Sequence, residues 1–167
     1  MGDWLIRPES TDDCAAIHAL VKRAFTTQPY ADGDEQELVD RLRERGELAL
    51  SLVASLPGPG IVGHIGFSPA WIDGQDRDWF QMAPVSVEPA FHRQGIGGAL
   101  IRAGIVQLQE QGAHGIGVVG DPAYYERFGF QHLPGLAPVG PDAVYFRAIA
   151  FGGPAPRGVV SYASAFG

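Results

Sequence analysis

Cysteine is almost absent from this chain: Cys14 is the only one among 167 residues. No disulfide can form within the chain, and a cysteine-rich metal site is excluded. The five histidines stand too far apart for the spacing of metal ligands, at His18, His64, His92, His114 and His132. We therefore expect no bound metal.

Positive charge is also scarce. Twelve Lys and Arg residues stand against 19 Asp and Glu residues, which gives a net charge of −7 and an isoelectric point near 5.1. Non-specific binding to nucleic acid needs an excess of positive charge, because phosphate contacts dominate that binding. The composition therefore argues against a nucleic-acid partner.

Long apolar runs are missing as well, since no stretch approaches the ~20 apolar residues of a membrane-spanning helix. The first residues, MGDWLIRPESTDD, do not show the basic and then apolar pattern of a secretory signal. We expect a cytoplasmic protein with no membrane partner. The hydrophobic content of 46% is ordinary for a globular protein, and 167 residues suffice for one domain.

The first half of the chain predicts a strand, two helices and an antiparallel meander. DWLIR is strand-like, and Ser10 and Thr11 precede two acidic residues as at a helix start. A second helix is predicted from about Asp34 to Arg45. Three strand-like segments follow, LALSLVAS, GIVGHIGFSPAWI and WFQMAPVSV, with turns predicted at 57–60 and 73–78.

The second half predicts a long helix followed by a buried strand. Apolar residues at helical spacing place the helix at about Gly95–Gln111. GIGVVG, residues 115–120, is wholly apolar, as expected for a strand buried on both faces in parallel pairing. DPAYYERFGF predicts one or two helical turns, and AVYFRAIAF and GVVSYASAF predict two final strands. Together the segments predict a single α/β domain over 1–167.

The segment HRQGIGGALIRAG, residues 92–104, opens the long helix with three glycines in four positions. Consecutive backbone N–H groups at a helix start bind anions, and missing Cβ atoms let a phosphate approach. Residues 94–98 would supply these groups, with Arg93 adding a charged contact. The alternative is a tight turn with close helix packing. The nucleotidase phosphate loop is absent, and Leu100 stands where the dinucleotide fingerprint needs glycine.

The stretch His92-Arg93-Gln94-Gly95-Ile96-Gly97 resembles the (Arg/Gln)-x-x-Gly-x-(Gly/Ala) signature of the GCN5-related N-acetyltransferase (GNAT) family, with His92 in place of Arg or Gln. VSVEPAFHRQGIG is similar to the family's strand-then-loop segment, and DPAYYERFGF to its late helix-to-strand segment. Nearly the full chain is covered. GHIGFSP together with GDPAYYERFGF is most similar to the branch of predicted acetyltransferases of the YhbS type.

The resemblance implies a single-domain α/β (α+β) fold. Its mixed, mostly antiparallel twisted sheet has six to seven strands, about four flanking helices, and a splayed gap between the strands 79–87 and 115–120. Pro84 has no N–H and therefore suits a bulge in the first of these strands.

The resemblance also implies that acetyl-CoA is bound as the acetyl donor. Its pyrophosphate would lie on the glycine turn, and its pantetheine arm would pair with the bulged strand. Ser86 points to the opposite face, where it either packs or contacts the acceptor. The contacts that the resemblance implies are Val85, Ser86, Val87, Arg93, Gln94, Gly95, Ile96, Gly97, Gly98, Asp121 and Tyr125.

Tyr125 is the candidate general acid, because the family often places a tyrosine near the thioester sulfur four residues before this glycine-phenylalanine pair. The alternative is a tyrosine that packs the short helix. Tyr124, its neighbour, is predicted to lie in the core. Asp121 stands where the family often has an asparagine that touches the cofactor arm, and its alternative role is a helix cap.

The general base is left open by the sequence. Glu35 and Glu37 lie on the second helix, which borders the acceptor site in this fold, and charged helix residues usually form a solvated face. His64 lies near Gly63 and Gly66 and could face a cleft, although a lone histidine in an apolar strand is usually structural. A water chain to backbone carbonyls is a further alternative.

The sequence thus predicts an acetyl-CoA-dependent N-acetyltransferase that acts by direct transfer on an amine of a small molecule or a protein. The alternative is a non-catalytic acyl-CoA sensor or interaction module on the same fold. The glycine turn and Tyr125 together favour the enzyme. Whether the protein forms a homodimer is left open.

Overall fold

The computed structural model describes residues 3–26 and 33–166, which form eight strands and four α-helices. The strands are β1 (Leu5–Pro8), β2 (Leu50–Leu56), β3 (Gly60–Ile72), β4 (Gln75–Val87), β5 (Gly115–Val119), β6 (Leu136–Ala137), β7 (Phe146–Ala150) and β8 (Gly158–Tyr162). The helices are α1 (Cys14–Thr26), α2 (Glu35–Glu44), α3 (Ile96–Glu110) and α4 (Pro122–Glu126).

The start of α1 is held by hydrogen bonds around Asp13. The Ser10 backbone N–H donates to the Asp13 carboxylate at 2.7 Å, and Arg7 of β1 donates two bonds to the same carboxylate at 2.6 and 3.1 Å. The Arg7 guanidinium lowers the pKa of Asp13 to about 2. The helix start predicted from Ser10 and the acidic residues after it is confirmed.

The strands form one eight-stranded sheet, whose main order is β1-β2-β3-β4-β5-β7, with β8 beside β3 and β6 beside β8. The β4–β5 and β6–β8 pairs are parallel, and the others are antiparallel. The predicted meander and the mixed, mostly antiparallel sheet are confirmed. The sequence predicted six to seven strands, and the structure has one more. The additional strand is β6, whose two residues are too few to show a periodic pattern.

One local prediction was wrong in detail. The turn predicted at 73–78 is confined to Asp73 and Gly74, which have φ of 51° and 73°. A two-residue Asp-Gly turn with positive φ closes a hairpin directly, so the polar residues 75–78 continue as strand β4. The predicted parallel pairing of the buried strand β5 is confirmed on its β4 side, and its other neighbour, β7, is antiparallel.

Helices cover both faces of the sheet. On one face Leu100 of α3 packs in a core cluster with Ile65 and Phe67 of β3. On the other face α1 and α2 pack against β2 through a second cluster, formed by Ile17, Val21, Val39 and Val53. The central part of β3 is therefore buried on both faces.

Strands β4 and β5 separate after a short ladder. The parallel pairing joins 79–81 to 115–117, while β4 runs on to Val87. Toward β3, the pairs Phe67–Met82 and Ile65–Val85 leave β4 with one extra residue at Ala83–Pro84, which is a bulge. The predicted bulge at Pro84 and the predicted splay are confirmed. We call the space between 82–87 and 118–119 the β4–β5 gap.

Candidate active site

The turn before α3 has a left-handed backbone. Gly95, the residue that precedes the helix, has φ of 88°, and Arg93 has φ of 66°. A side chain at position 95 would cost about 1 kcal/mol in this conformation, which explains the glycine. The His92 ring nitrogen Nε2 lies 3.1 Å from the carbonyl oxygen of Val87, so the turn is tied to the end of β4.

The first N–H groups of α3 belong to Ile96, Gly97 and Gly98. Bonding of the helix type begins at Ala99, whose N–H donates to the carbonyl of Gly95 at 3.0 Å. The preceding N–H groups have no acceptor inside the helix, and the helix dipole adds positive potential there. This arrangement suits an anion such as a phosphate.

Gly97 and Gly98 also allow a close approach of the segment after β5. A Cβ atom on Gly97 would lie 3.4 Å from the Tyr124 hydroxyl and 3.6 Å from Val87. A Cβ atom on Gly98 would lie 3.4 Å from the Phe128 ring. The close helix packing that the sequence offered as an alternative is therefore present at this turn, and the anion site stays a prediction.

Residues 85–87 of β4 present alternate faces, as a strand requires. Val85 and Val87 pack against the α3 side of the core. Ser86 is 2% exposed and pairs with His64 across the β3–β4 ladder. Ser86 thus points to the α1–α2 face, as the sequence predicted, and the backbone of this stretch borders the β4–β5 gap.

Tyr125 lies on α4, which begins shortly after the end of β5. A Cβ atom on Gly120 would lie 2.6 Å from the Tyr125 ring, so glycine makes room for it. The ring also packs edge-to-face on Phe130, with centroids 6.1 Å apart. Asp121 caps α4 by accepting a hydrogen bond from the Ala123 N–H at 3.1 Å.

Tyr124 lies closer to the anion-binding turn than the sequence indicated. It packs against the core cluster, as predicted, but its hydroxyl stands over Gly97. Arg127 lies over its ring at 5.0 Å, and Phe128 packs on its edge. The sequence signal that could have predicted this position of Tyr124 is the Tyr124-Tyr125 pair. Adjacent residues on a helix point about 100° apart, so the two rings must face different neighbours.

His64 and Glu35 lie on the α1–α2 side of the sheet, and the structure does not expose His64 to a cleft. His64 is 0% exposed, and burial lowers its pKa to about 4. Its Nε2 lies 2.8 Å from the Ser51 hydroxyl oxygen. Glu35 begins α2 and accepts a hydrogen bond from the Gly33 N–H at 3.1 Å. Glu37 is exposed.

Comparison with known proteins identifies the family. The model of the acetyltransferase (GNAT) domain matches residues 50–132. The uncharacterized N-acetyltransferase YhbS of Escherichia coli (strain K12) is 39% identical over 127 residues, which cover 76% of this chain and 73% of that protein. The chain belongs to the GNAT acetyltransferase family.

Two solved GNAT structures resemble the whole chain. A GNAT family acetyltransferase from Brucella melitensis, in complex with acetyl-CoA, is 41% identical, with full coverage of both chains and a TM-score of 0.89. YhbS from Escherichia coli, in complex with CoA, is 34% identical, with 98% and 91% of the two chains covered and a TM-score of 0.87. The predicted GNAT fold and the predicted enzyme class, an acyltransferase, are confirmed.

The geometry of this GNAT chain fits a group with a pyrophosphate and a long arm. The N–H groups of residues 96–98 have no acceptor inside the helix, and Val87 at the end of β4 lies beside Gly97. An arm that leaves the turn therefore meets the β4–β5 gap directly. Unpaired strand edges accept added main-chain hydrogen bonds.

Metal-binding clusters and membrane-spanning helices are both absent from residues 3–26 and 33–166. In those residues no group of three or more His, Cys, Asp and Glu side chains is arranged to hold a metal ion. No helix within the same ranges is long and apolar enough to cross a membrane.

Proposed function

We propose that this protein is an N-acetyltransferase that uses acetyl-CoA as the donor and an amine of a small molecule or a protein as the acceptor. The observation that carries the proposal is that the N–H groups at the start of α3 lie beside Val87, the last residue of the strand that borders the β4–β5 gap. The complexes of two relatives with acetyl-CoA and CoA support the same donor.

The residues that would hold the donor fall into two groups. The turn would bind the pyrophosphate through the backbone of Gln94, Gly95, Ile96, Gly97 and Gly98, with Arg93 exposed beside it. The arm would lie along Val85, Ser86 and Val87. Asp121 already accepts one hydrogen bond as the cap of α4. Its carboxylate can accept further hydrogen bonds, and one of these would come from the arm.

Bound acetyl-CoA supplies the acetyl group as a thioester. In the transfer, a C–N bond to the amine forms and the C–S bond breaks. The amine loses one proton, and the departing thiolate gains one. Tyr125 is proposed as the donor of the proton to sulfur. The proposal is supported by its position on α4 shortly after β5 and by the packing of its ring beside Gly120 and Phe130.

The group that removes the proton from the amine is proposed to lie on the α1–α2 side of the sheet. Glu35, at the start of α2, and His64, on β3, are the two candidates. Glu35 has the stronger case, because it is only partly buried, whereas His64 is 0% exposed and faces no cleft.

Two measurements test this function. Calorimetric titration with CoA should show binding, and acetyl-CoA should release free thiol only when a suitable amine is added, from a panel of spermidine, an aliphatic diamine, an aminoglycoside and a lysine-containing peptide. Binding without thiol release across the panel would instead support the alternative, a non-catalytic acyl-CoA sensor. Failure to bind CoA would overturn both.

A further inference from the structure

Two arginine side chains lie beside the glycine turn and pack on the aromatic residues that follow β5. Arg102, on α3, places its guanidinium carbon 4.9 Å from the centre of the Phe128 ring. Arg127, the residue after α4, places its guanidinium carbon 5.0 Å from the centre of the Tyr124 ring. The two rings pack edge to face, with centroids 5.3 Å apart. We call these four side chains the arginine–aromatic cluster.

The arginine–aromatic cluster contacts the first turn of α3. A Cβ atom on Gly98 would lie 3.2 Å from Nη1 of Arg102, and a Cβ atom on Gly97 would lie 3.4 Å from the Tyr124 hydroxyl. Both glycines carry N–H groups that have no acceptor inside the helix. The Arg102 guanidinium is therefore a neighbour of these N–H groups, and Arg127 lies one aromatic ring farther away.

No carboxylate neutralises the two guanidiniums. Over residues 3–26 and 33–166, neither Arg102 nor Arg127 forms an ion pair or a side-chain hydrogen bond. Glu126, next to Arg127 in the sequence, pairs with Arg147 instead, at 3.3 Å. The chain has 19 acidic and only 12 basic residues, so carboxylates are not scarce. Both side chains are exposed, and their N–H groups are open to an anion.

A guanidinium in this setting suits a phosphate. It is planar and always charged, and its N–H groups match the oxygens of a phosphate in pairs. A guanidinium that lies over an aromatic ring keeps the N–H groups at its edge free, because they lie in its own plane. The ring also restricts the side chain before binding, so less conformational entropy is lost when an anion binds.

CoA carries one phosphate that the glycine turn does not account for. Two of its three phosphates form the pyrophosphate, and the third is esterified to the ribose of the adenosine. The pantetheine arm leaves one end of the pyrophosphate and the ribose leaves the other. Because only one ribose separates the third phosphate from the pyrophosphate, that phosphate must lie close to the turn.

The start of α3 offers a separate side for each end of the pyrophosphate. Gly97 faces Val87, the last residue of the strand that borders the β4–β5 gap, which is the side of the arm. Gly98 is turned by about 100° around the helix and faces Arg102 and Phe128. The arginine–aromatic cluster therefore extends to a side of the turn that the arm does not need.

We propose that Arg102 and Arg127 form a second anion subsite, which binds the ribose phosphate of CoA and distinguishes CoA from the form that lacks this phosphate. This rests on the proposed function, because the pyrophosphate is taken to lie on the glycine turn. Phe128 and Tyr124 position the two guanidiniums, and the absence of a side chain at Gly98 leaves room for Arg102. The subsite holds the donor and takes no part in the acetyl transfer itself.

Calorimetric titration with CoA and with 3′-dephospho-CoA tests the subsite without any acceptor. Wild-type protein should bind CoA about 10-fold more tightly, because charge-assisted hydrogen bonds at an exposed site lie at the weak end of their range. The double variant Arg102→Gln/Arg127→Gln should bind the two ligands with nearly equal affinity. Raising the salt concentration from about 0.05 M to about 0.5 M should reduce the wild-type ratio, because exposed charges are screened.

Two single variants serve as matched controls. Arg77→Gln removes the same charge near the start of β4, at the opposite end of the strand from Val87, and should leave the affinity ratio unchanged. Arg93→Gln should weaken both ligands alike, because the pyrophosphate is common to both. A thermal melt without ligand checks folding, and we expect little change for the double variant because both of its arginines are exposed.

The outcomes separate the subsite from the proposed function. Equal binding of CoA and 3′-dephospho-CoA by wild-type protein would overturn the subsite while acetyl-CoA remains the donor. A full affinity ratio in the double variant, or an equal loss of the ratio in Arg77→Gln, would overturn it as well. Failure of wild-type protein to bind either ligand would instead remove the proposed function, and the subsite with it.

Discussion

Replacing Gly97 with glutamate should separate the binding of CoA from the stability of the fold. Gly97 is the second residue of α3, and a Cβ atom there would contact the Tyr124 hydroxyl at 3.4 Å and Val87 at 3.6 Å, so a side chain can be added. A carboxylate at this position lies at the helix start, where negative charge stabilises a helix by about 0.3–1 kcal/mol. We therefore expect an unchanged or slightly raised melting temperature in the absence of ligand.

The same carboxylate should repel the pyrophosphate and compete with it for the N–H groups of residues 96–98. Two unit charges about 4 Å apart repel by about 4 kcal/mol at an effective dielectric constant near 20, and by about 1 kcal/mol in bulk water. Gly97 is only partly buried, so the loss of affinity lies between these limits. It corresponds to a weakening of CoA binding by about 5- to 1000-fold.

Calorimetric titration with CoA gives the affinity, and a thermal melt without ligand gives the stability. Gly97→Gln is the matched control, because it has the same size and no charge, so the difference between the two variants is the electrostatic contribution. Stronger binding of CoA by the glutamine variant than by the glutamate variant is expected. Wild-type affinity in a folded Gly97→Glu protein would refute the assignment of the turn as the phosphate site.

Three further outcomes are expected. Tyr125→Phe should lower kcat by about 10²- to 10⁴-fold with little change in CoA affinity, and near-normal turnover of the folded variant would rule out the acid. Gly104→Ala should lower the urea midpoint of unfolding, because its Cβ would lie 2.4 Å from the Phe67 ring and overpacking costs about 1–3 kcal/mol; an unchanged midpoint would contradict that packing. Arg7 lowers the pKa of Asp13 from 3.8 to about 2. This shift should add up to about 2 kcal/mol to the free energy of unfolding above pH 3.8, and the contribution should be lost as the pH falls toward 2. Asp13→Asn should remove this pH dependence from acid unfolding curves.

Much of the fold could be predicted because its signals are local. The start of α1 follows from Ser10 and the acidic residues after it, and β3 has the bounds that the apolar segment 60–72 predicts. The turn at 73–78 was predicted too long, because polar residues were taken as loop residues. In the structure the Asp73-Gly74 turn is sufficient, and the polar side chains of 75–78 lie on exposed strand.

Some features of the candidate site could also be predicted from the sequence, and others could not. The turn at 92–98 could be predicted, whereas the position of Tyr124 over Gly97 could not, because it depends on how closely the segment after β5 approaches α3. The direction in which His64 points was also beyond prediction. Which face of β3 carries it, and whether that face is covered, depends on the packing of α1 and α2.

The sequence by itself determined the glycine turn before α3, since consecutive N–H groups and a left-handed glycine come from adjacent residues and need no distant partner. It also determined the GNAT family, because the family's motifs are contiguous segments. Only the tertiary structure decided that Glu9, Ser51 and His64 are joined by hydrogen bonds. These residues come from three separate segments, and strand register together with burial under two helices brings their polar atoms together.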